Sequence, residues 1–199
     1  MIYMPYLNDT AGGNVNTRVD TETVILDAAA ALLEAQGPEG LTTRRVCEAA
    51  GIKSPTLYHH FGDKDGLEQA LIRRGLGEFM RRKQQASGSA DPLDQLRAGW
   101  DAVLDFALKR PALHALLSQH VRAQPALIAD AYALMHARVQ RLIDMGRLQG
   151  SVDAAARAIW AASQGALSLV QLGASRKDIQ AASSLLFEAV ITRLSQPPA

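Results

Sequence analysis

One cysteine, Cys47, is all that the 199 residues contain, so no intramolecular disulfide framework can staple the fold and no second thiolate can join it on a metal. Net charge is lacking too: 21 basic against 20 acidic residues leave +1. There is no global cationic field of the kind many nucleic-acid binders carry, and a nucleic-acid reading must rest on local charge. No apolar run approaches the roughly 20 residues that a membrane-spanning helix needs. The opening stretch MIYMPYLNDTAGGNVNT is mixed and glycine-rich rather than basic and then apolar, which argues against a secretory signal. A reducing, cytoplasmic setting is the expectation. Also absent are alternating β-type segments of useful length, a glycine-rich phosphate loop and internal repeats.

Helical periodicity is what remains. Hydrophobic residues make up 48% and charged residues 21%, the balance of a soluble globular chain. Residues 1–18 show no helical period and read as a flexible arm, with Arg18 at its end. A first helix is expected from Asp20 or Thr21, with Asp20 as N-cap and Val19 and Val24 as a hydrophobic staple. Ile25, Ala28, Ala29, Leu32 and Leu33 then mark one buried stripe that ends near Gly37-Pro38. Short helices follow over 43–50 and from Ser54, then a longer one capped by Asp63 and running to the basic cluster RRKQQ. The stretch ASGSADP, 86–92, is the most linker-like after the arm. Beyond it, helices are expected over 93–109, 111–118, 125–148, 153–171 and 176–194, nine in all. The fold class is therefore all-α: an arm over 1–18, a three-helix domain over 19–65, a connecting helix over 66–85 and a larger helical domain over 92–195.

The pair at 43–61 carries the clearest signal. Two short helices joined by a three- or four-residue turn containing glycine describe a helix-turn-helix, whose second helix enters the DNA major groove N-terminus first. Gly51 makes the turn, Ser54 caps the second helix, and Pro55 sits in its first turn, where a missing N–H costs nothing. Leu57 and Phe61, at i and i+4, anchor the helix, leaving Ser54, Thr56 and His59 to face outward. Thr42, Thr43, Lys53, Tyr58, His60 and Lys64 suit phosphate contacts, since hydroxyls and ammonium groups meet backbone oxygens without needing a base pattern. Between Leu41 and Phe61 the chain has three basic residues and one acidic. On periodicity alone such a corner also serves as plain scaffold, and Lys53 and Lys64 read equally well as solubilising charges.

The stretch TTRRVCEAAGIKSPTLYHHFGDKDGL resembles the N-terminal DNA-binding motif of the TetR family of bacterial transcriptional repressors. Thr43, Val46, Ala50, Gly51, Ile52, Thr56, Leu57, Tyr58, Phe61, Lys64 and Leu67 match its pattern, over about residues 21–70 once the preceding helix is included. Cys47, Lys53, Pro55 and His60 depart from it, where alanine, serine, glycine and tyrosine are usual. The resemblance implies a homodimer on a palindromic double-stranded operator, released when a small molecule enters the C-terminal domain. It places Thr56, Leu57 and Tyr58 on the recognition helix and Lys64 near the phosphate backbone. A competing reading is a helical protein-interaction or ligand-binding module that no longer reads DNA.

The C-terminal half supports only general expectations. Trp100, Phe106, Leu113, Leu117, Met135, Met145 and Trp160 are candidates to line a largely apolar effector pocket, with Gln119, His120, Ser163 or Gln164 for polar contacts. Each aromatic alone fits a plain core as well. The stripes holding Ile159, Leu167 and Val170, and Ile179, Leu186 and Val190, are rich in small residues and suit a dimer-forming four-helix bundle or an intramolecular core. Neither a metal site nor a cofactor is expected: His114 and His120 are six apart, and the adjacent His59 and His60 diverge by about 100° on a helix. No nucleophile and base can be singled out, so an enzyme is not expected.

Overall fold

The structure, a computed structural model, describes residues 14–85 and 89–197. Nine α-helices occur among them, named in chain order: α1 Asn14–Gly40, α2 Thr43–Ala50, α3 Ser54–Phe61, α4 Lys64–Gln85, α5 Pro92–Lys109, α6 Pro111–Val121, α7 Ala129–Asp144, α8 Val152–Gln171 and α9 Arg176–Ser195. A 3₁₀ turn at Pro125–Ile128 precedes α7. The chain divides into two compact units after Leu67.

Helix α1 starts at Asn14, ahead of the expected Asp20. No glycine or proline interrupts residues 14–36, so nothing stops the helix from extending upstream. Asp20 lies inside it rather than at a cap, and Val24 is exposed instead of forming a staple. Residues 14–18 of the expected arm are thus helical, and residues 1–13 lie outside the described residues. At the other end Gly37, at φ 71°, kinks the helix as the Gly37-Pro38 pair suggested.

In the first unit α1 packs on α2 and α2 on α3, around fully buried Ile25, Ala29, Leu41, Val46, Leu57 and Leu67. The helix-turn-helix corner is closed by backbone hydrogen bonding. Gly51 takes the left-handed conformation, φ 66°, while its N–H donates to the Glu48 carbonyl and Ile52 N–H to that of Cys47 (3.3 and 3.0 Å). That is a Schellman closure, which ends α2 and reverses the chain within three residues. Asp63 caps the next helix as expected, its Oδ1 accepting from Gly66 N–H at 2.8 Å.

In the second unit α5 is the central element, packed by α6, α7, α8 and α9, while α8 and α9 pack together along their lengths. Trp100 and Phe187 meet edge-on at 5.3 Å, and the indole N–H of Trp100 donates to Ser183 Oγ at 2.7 Å. Asp91 caps α5 through Leu93 N–H, and both its oxygens meet Arg147 Nη1 (2.7 and 2.8 Å), which holds its carboxyl below the usual range. The single long helix expected over 125–148 is broken at both ends. Pro125 opens the 3₁₀ turn, and Gly146, at φ 71°, follows Met145 at the end of α7 and leaves Leu148 beyond it. Within the expected linker 86–92, residues 86–88 lie outside the described residues.

Candidate functional sites

The surface of the first unit gathers around α3. Lys53, not Ser54, occupies the N-cap: its extended backbone (φ −91°, ψ 150°) presents the carbonyl that accepts from Thr56 N–H at 3.0 Å, which starts the helix one residue early. Its side chain makes no capping bond, and Pro55 contributes no N–H, so the first turn of α3 is left without a side-chain acceptor. Leu57 is fully buried and is the helix's anchor; Phe61 is only half-buried.

The other residues expected at DNA spread over the outer surface. Lys53, Ser54, Pro55, Tyr58, His59 and Lys64 are exposed, and Thr56, His60 and Thr43 are half-buried. Thr42 is exposed, but its Oγ1 is engaged as the N-cap of α2, accepting from Arg45 N–H at 3.4 Å. From Ala49 to Gly62 there is no carboxylate. The two histidines do not diverge freely: their rings meet edge to face with centroids 5.7 Å apart, and His60 lies 6.0 Å from the Phe61 ring. Both stand in the last turn of α3, where a positive charge complements the helix dipole.

The second unit contains a cavity of about 170 Å³. Its long wall is one face of α5, which contributes Leu96, Gly99, Trp100, Val103 and Phe106 at helical spacing. Of the expected ligand residues, Trp100, Phe106, Leu117, Met135, Trp160, Ser163 and Gln164 line it. Ser163 spends its hydroxyl proton on the Trp160 carbonyl at 2.7 Å. His120 does not line the cavity. Its Nε2 lies 3.2 Å from Glu68 Oε2 and its Nδ1 3.0 Å from the Leu116 carbonyl, because on α6 it is rotated by about 100° or more from His114, Ser118 and Val121, which face the cavity. Leu113 is buried outside the lining, packed near Gly75, while Met145 and Gln119 are exposed.

Three polar lining residues escaped the sequence reading: His114, Ser118 and Arg138. Arg138 was legible in principle, since Met135, Arg138, Val139 and Leu142 fall at i, i+3, i+4 and i+7 and so share the buried stripe of α7. It is 7% exposed and donates from Nη1 to the Gln95 carbonyl at 2.9 Å. Among the described residues it has no carboxylate partner, and burial pushes its guanidinium below the usual arginine range. His114 is 6% exposed, and burial likewise lowers the basicity of its imidazole. Among the described residues no aspartate or glutamate lines the cavity.

The residues expected at a dimer interface divide. Ile159, Leu167 and Ile179 are buried within their own chain, and Ile159 and Leu167 line the cavity; Val170, Leu186 and Val190 are half-buried. A helix stripe in a two-layer packing faces inward first, so the more apolar positions are consumed by the core. The open face of α8 and α9 instead carries Ala161, Gly165, Ser168 and Leu172, and Ala181, Leu185 and Ala189. Leu172 and Leu185, 78% and 68% exposed, are its largest apolar groups.

No helix among the described residues is long and apolar enough to cross a membrane. Residues 25–71 match the family model described as bacterial regulatory proteins, tetR family, and residues 96–194 match the tetracyclin repressor-like C-terminal domain. The chain is similar to the HTH-type transcriptional repressor KstR2 of Mycobacterium tuberculosis, 34% identical over 90 residues, 45% of this chain and 44% of that protein. It is also similar to the tetracycline repressor protein class A from transposon 1721 of Escherichia coli, 44% identical over 62 residues, 31% of this chain and 28% of the relative. The chain thus spans less than half the length of these curated relatives. Among solved structures, a protein of unknown function from Rhodococcus sp. RHA1 superposes with a TM-score of 0.74 at 21% identity, covering 96% of this chain and all of that one. FadR from Bacillus subtilis, in complex with stearoyl-CoA, superposes with a TM-score of 0.73 at 16% identity, over 85% and 97% of the two chains. At those identities the likeness is one of fold.

Proposed function

The chain belongs to the tetR family of bacterial regulatory proteins, which act as regulators rather than enzymes, and from that premise we propose that it is a ligand-released repressor. In this reading it binds a palindromic DNA operator as a homodimer through α3 of each copy, and a small molecule entering the cavity of the second unit lowers its affinity for DNA.

The surface of α3 carries the proposal. An eight-residue helix anchored by one buried leucine presents hydroxyls and imidazoles, with the Lys53 ammonium at its N-cap. The absence of carboxylates from Ala49 to Gly62 leaves α3 itself without a negative charge to repel phosphate. Its uncapped first turn offers the Ser54 N–H and the positive end of the helix dipole to a phosphate oxygen, which seats the helix N-terminus first in the groove. Thr56 then reads a base edge, while Lys53, Tyr58 and Lys64 take backbone contacts that set register without sequence information. Two half-sites need two reading heads. The open face of α8 and α9, with its small side chains and the exposed Leu172 and Leu185, is the surface that suits a four-helix interface with a second copy.

Fluorescence anisotropy on duplex from the DNA upstream of the protein's own coding sequence tests this reading. Tight binding by two copies per site is expected, falling steeply with salt by about 0.9 in the logarithmic slope for each phosphate neutralised. Equal binding to a scrambled duplex would sink it, and a stable protein partner without operator binding would favour an interaction module.

A further inference from the structure

An arginine side chain is costly to bury without an anion, because the charge loses its hydration and gains nothing of opposite sign in return. Arg138 is in that position: 7% exposed, lining the cavity, with one hydrogen bond to a neutral carbonyl and no carboxylate partner among the described residues. One acceptor engages only one of its five N–H donors, so the rest of the fork has no protein acceptor among those residues. Among the described residues no carboxylate lines the cavity elsewhere.

The position of Arg138 along the cavity also matters. Its carbonyl partner Gln95 lies in the first turn of α5, whereas Phe106, its ring tilted against that of Phe79 at 5.4 Å, lies near the helix's last turn. The two stand eleven residues apart, about 16 Å at 1.5 Å per residue. Between them the α5 wall is Leu96, Gly99, Trp100 and Val103, an apolar lining throughout.

We infer that the effector is an amphipathic organic anion, its carboxylate or phosphate head paired with Arg138 near the start of α5 and its apolar body lying along α5 towards Phe79 and Phe106. The inference rests on the reading of this cavity as the effector site. A bidentate pair between the guanidinium and a planar or tetrahedral oxyanion fills the donors that the protein leaves open and cancels the buried charge.

Both tryptophans of the chain line the cavity, so intrinsic fluorescence reports its occupation without a label. Dodecanoate, dodecyl phosphate and 1-dodecanol, below their micellar concentrations, are titrated into the full-length protein and into Arg138→Met and Arg138→Lys. In the wild type at least one anion should bind about tenfold or more tighter than the alcohol, the margin of one charged hydrogen-bonded contact. The preference should vanish in Arg138→Met and survive in part in Arg138→Lys; whichever anion binds tighter identifies the head group. An alcohol that binds as well as both anions overturns the inference. So does a preference unchanged in Arg138→Met, or no binding across the series from octanoate to hexadecanoate. Should Arg138→Met fail to fold, the wild-type comparison of anion with alcohol decides. Anisotropy with operator DNA in the same solutions separates the two claims. An anion that binds through Arg138 without releasing DNA leaves the inference standing and breaks the release mechanism; a neutral amphipath that releases DNA does the reverse.

Discussion

The helix α3 and the cavity of the second unit handle polar side chains in opposite ways. On α3 and its N-cap they are displayed: Leu57 alone is fully buried, and Lys53, Ser54, Tyr58 and His59 are exposed. In the cavity they are enclosed, with Arg138 and His114 less than one tenth exposed among leucines and aromatics. A displayed group costs the folded state little and gives up hydration only on binding. An enclosed one has given up most of its contact with bulk water on folding, a cost that a partner of opposite charge would offset. The first arrangement suits a large polyanion approached from outside, the second a small molecule that must be selected by complementary charge.

The strongest way to break the first half of that contrast is Leu57→Ala. Removing a fully buried anchor should cost about 2–5 kcal/mol and abolish operator binding, read by denaturant unfolding and anisotropy; unchanged binding would mean that α3 is not held by Leu57. Next in size, Thr56→Ala should lose about 1–3 kcal/mol on operator while leaving scrambled duplex little changed. Lys64→Ala should weaken both alike and reduce the salt slope by about one. Equal losses for Thr56→Ala on the two duplexes would remove its base-reading role. Gly51→Ala comes third: the added Cβ meets nothing within 4 Å, so its cost is that of the left-handed backbone alone, about 1–2 kcal/mol in thermal or chemical melts.

The second half of the contrast can be sharpened with pH and with charge removal. Burial lowers the His114 pKa from its ordinary 6.5, so the unfolded chain binds more protons than the folded one as the solution is acidified. The stability of the second unit should therefore be complete above about 6.5 and fall as pH drops below it, and His114→Leu should flatten that part of the profile. The smallest effect is expected for Arg138→Met without ligand. Exchanging an uncompensated buried charge for an apolar chain of similar length should leave the melting temperature unchanged or slightly raised. A large drop would show that the Gln95 contact outweighs the charge penalty.

Much of the molecule was legible from residue order. Helices α2, α5, α8 and α9 lie within a residue or two of their expected bounds, because capping residues and prolines are local signals: Thr42, Asp91, Ser151 and Ser175 all cap through their side chains. The upstream start of α1 was missed because residues 14–20 lack a breaker without showing an apolar period. Seven expected ligand residues do line the cavity; His120 lies outside the lining because a neighbour in sequence can sit on another face of the same helix.

By itself the sequence determined the all-helical class, the glycine-closed corner at 51, the leucine that holds α3 and the polar row around it. These depend on caps, turns and spacings that act over a few residues. Only the tertiary structure decided which side of α8 and α9 faces inward, so that Ile159 and Leu167 belong to the cavity wall and not to a surface stripe. It alone decided that Arg138 is enclosed and meets a carbonyl rather than a carboxylate. Burial and charge pairing depend on what other segments bring within a few ångströms, and residues 95 and 138 share no local pattern that would bring them together.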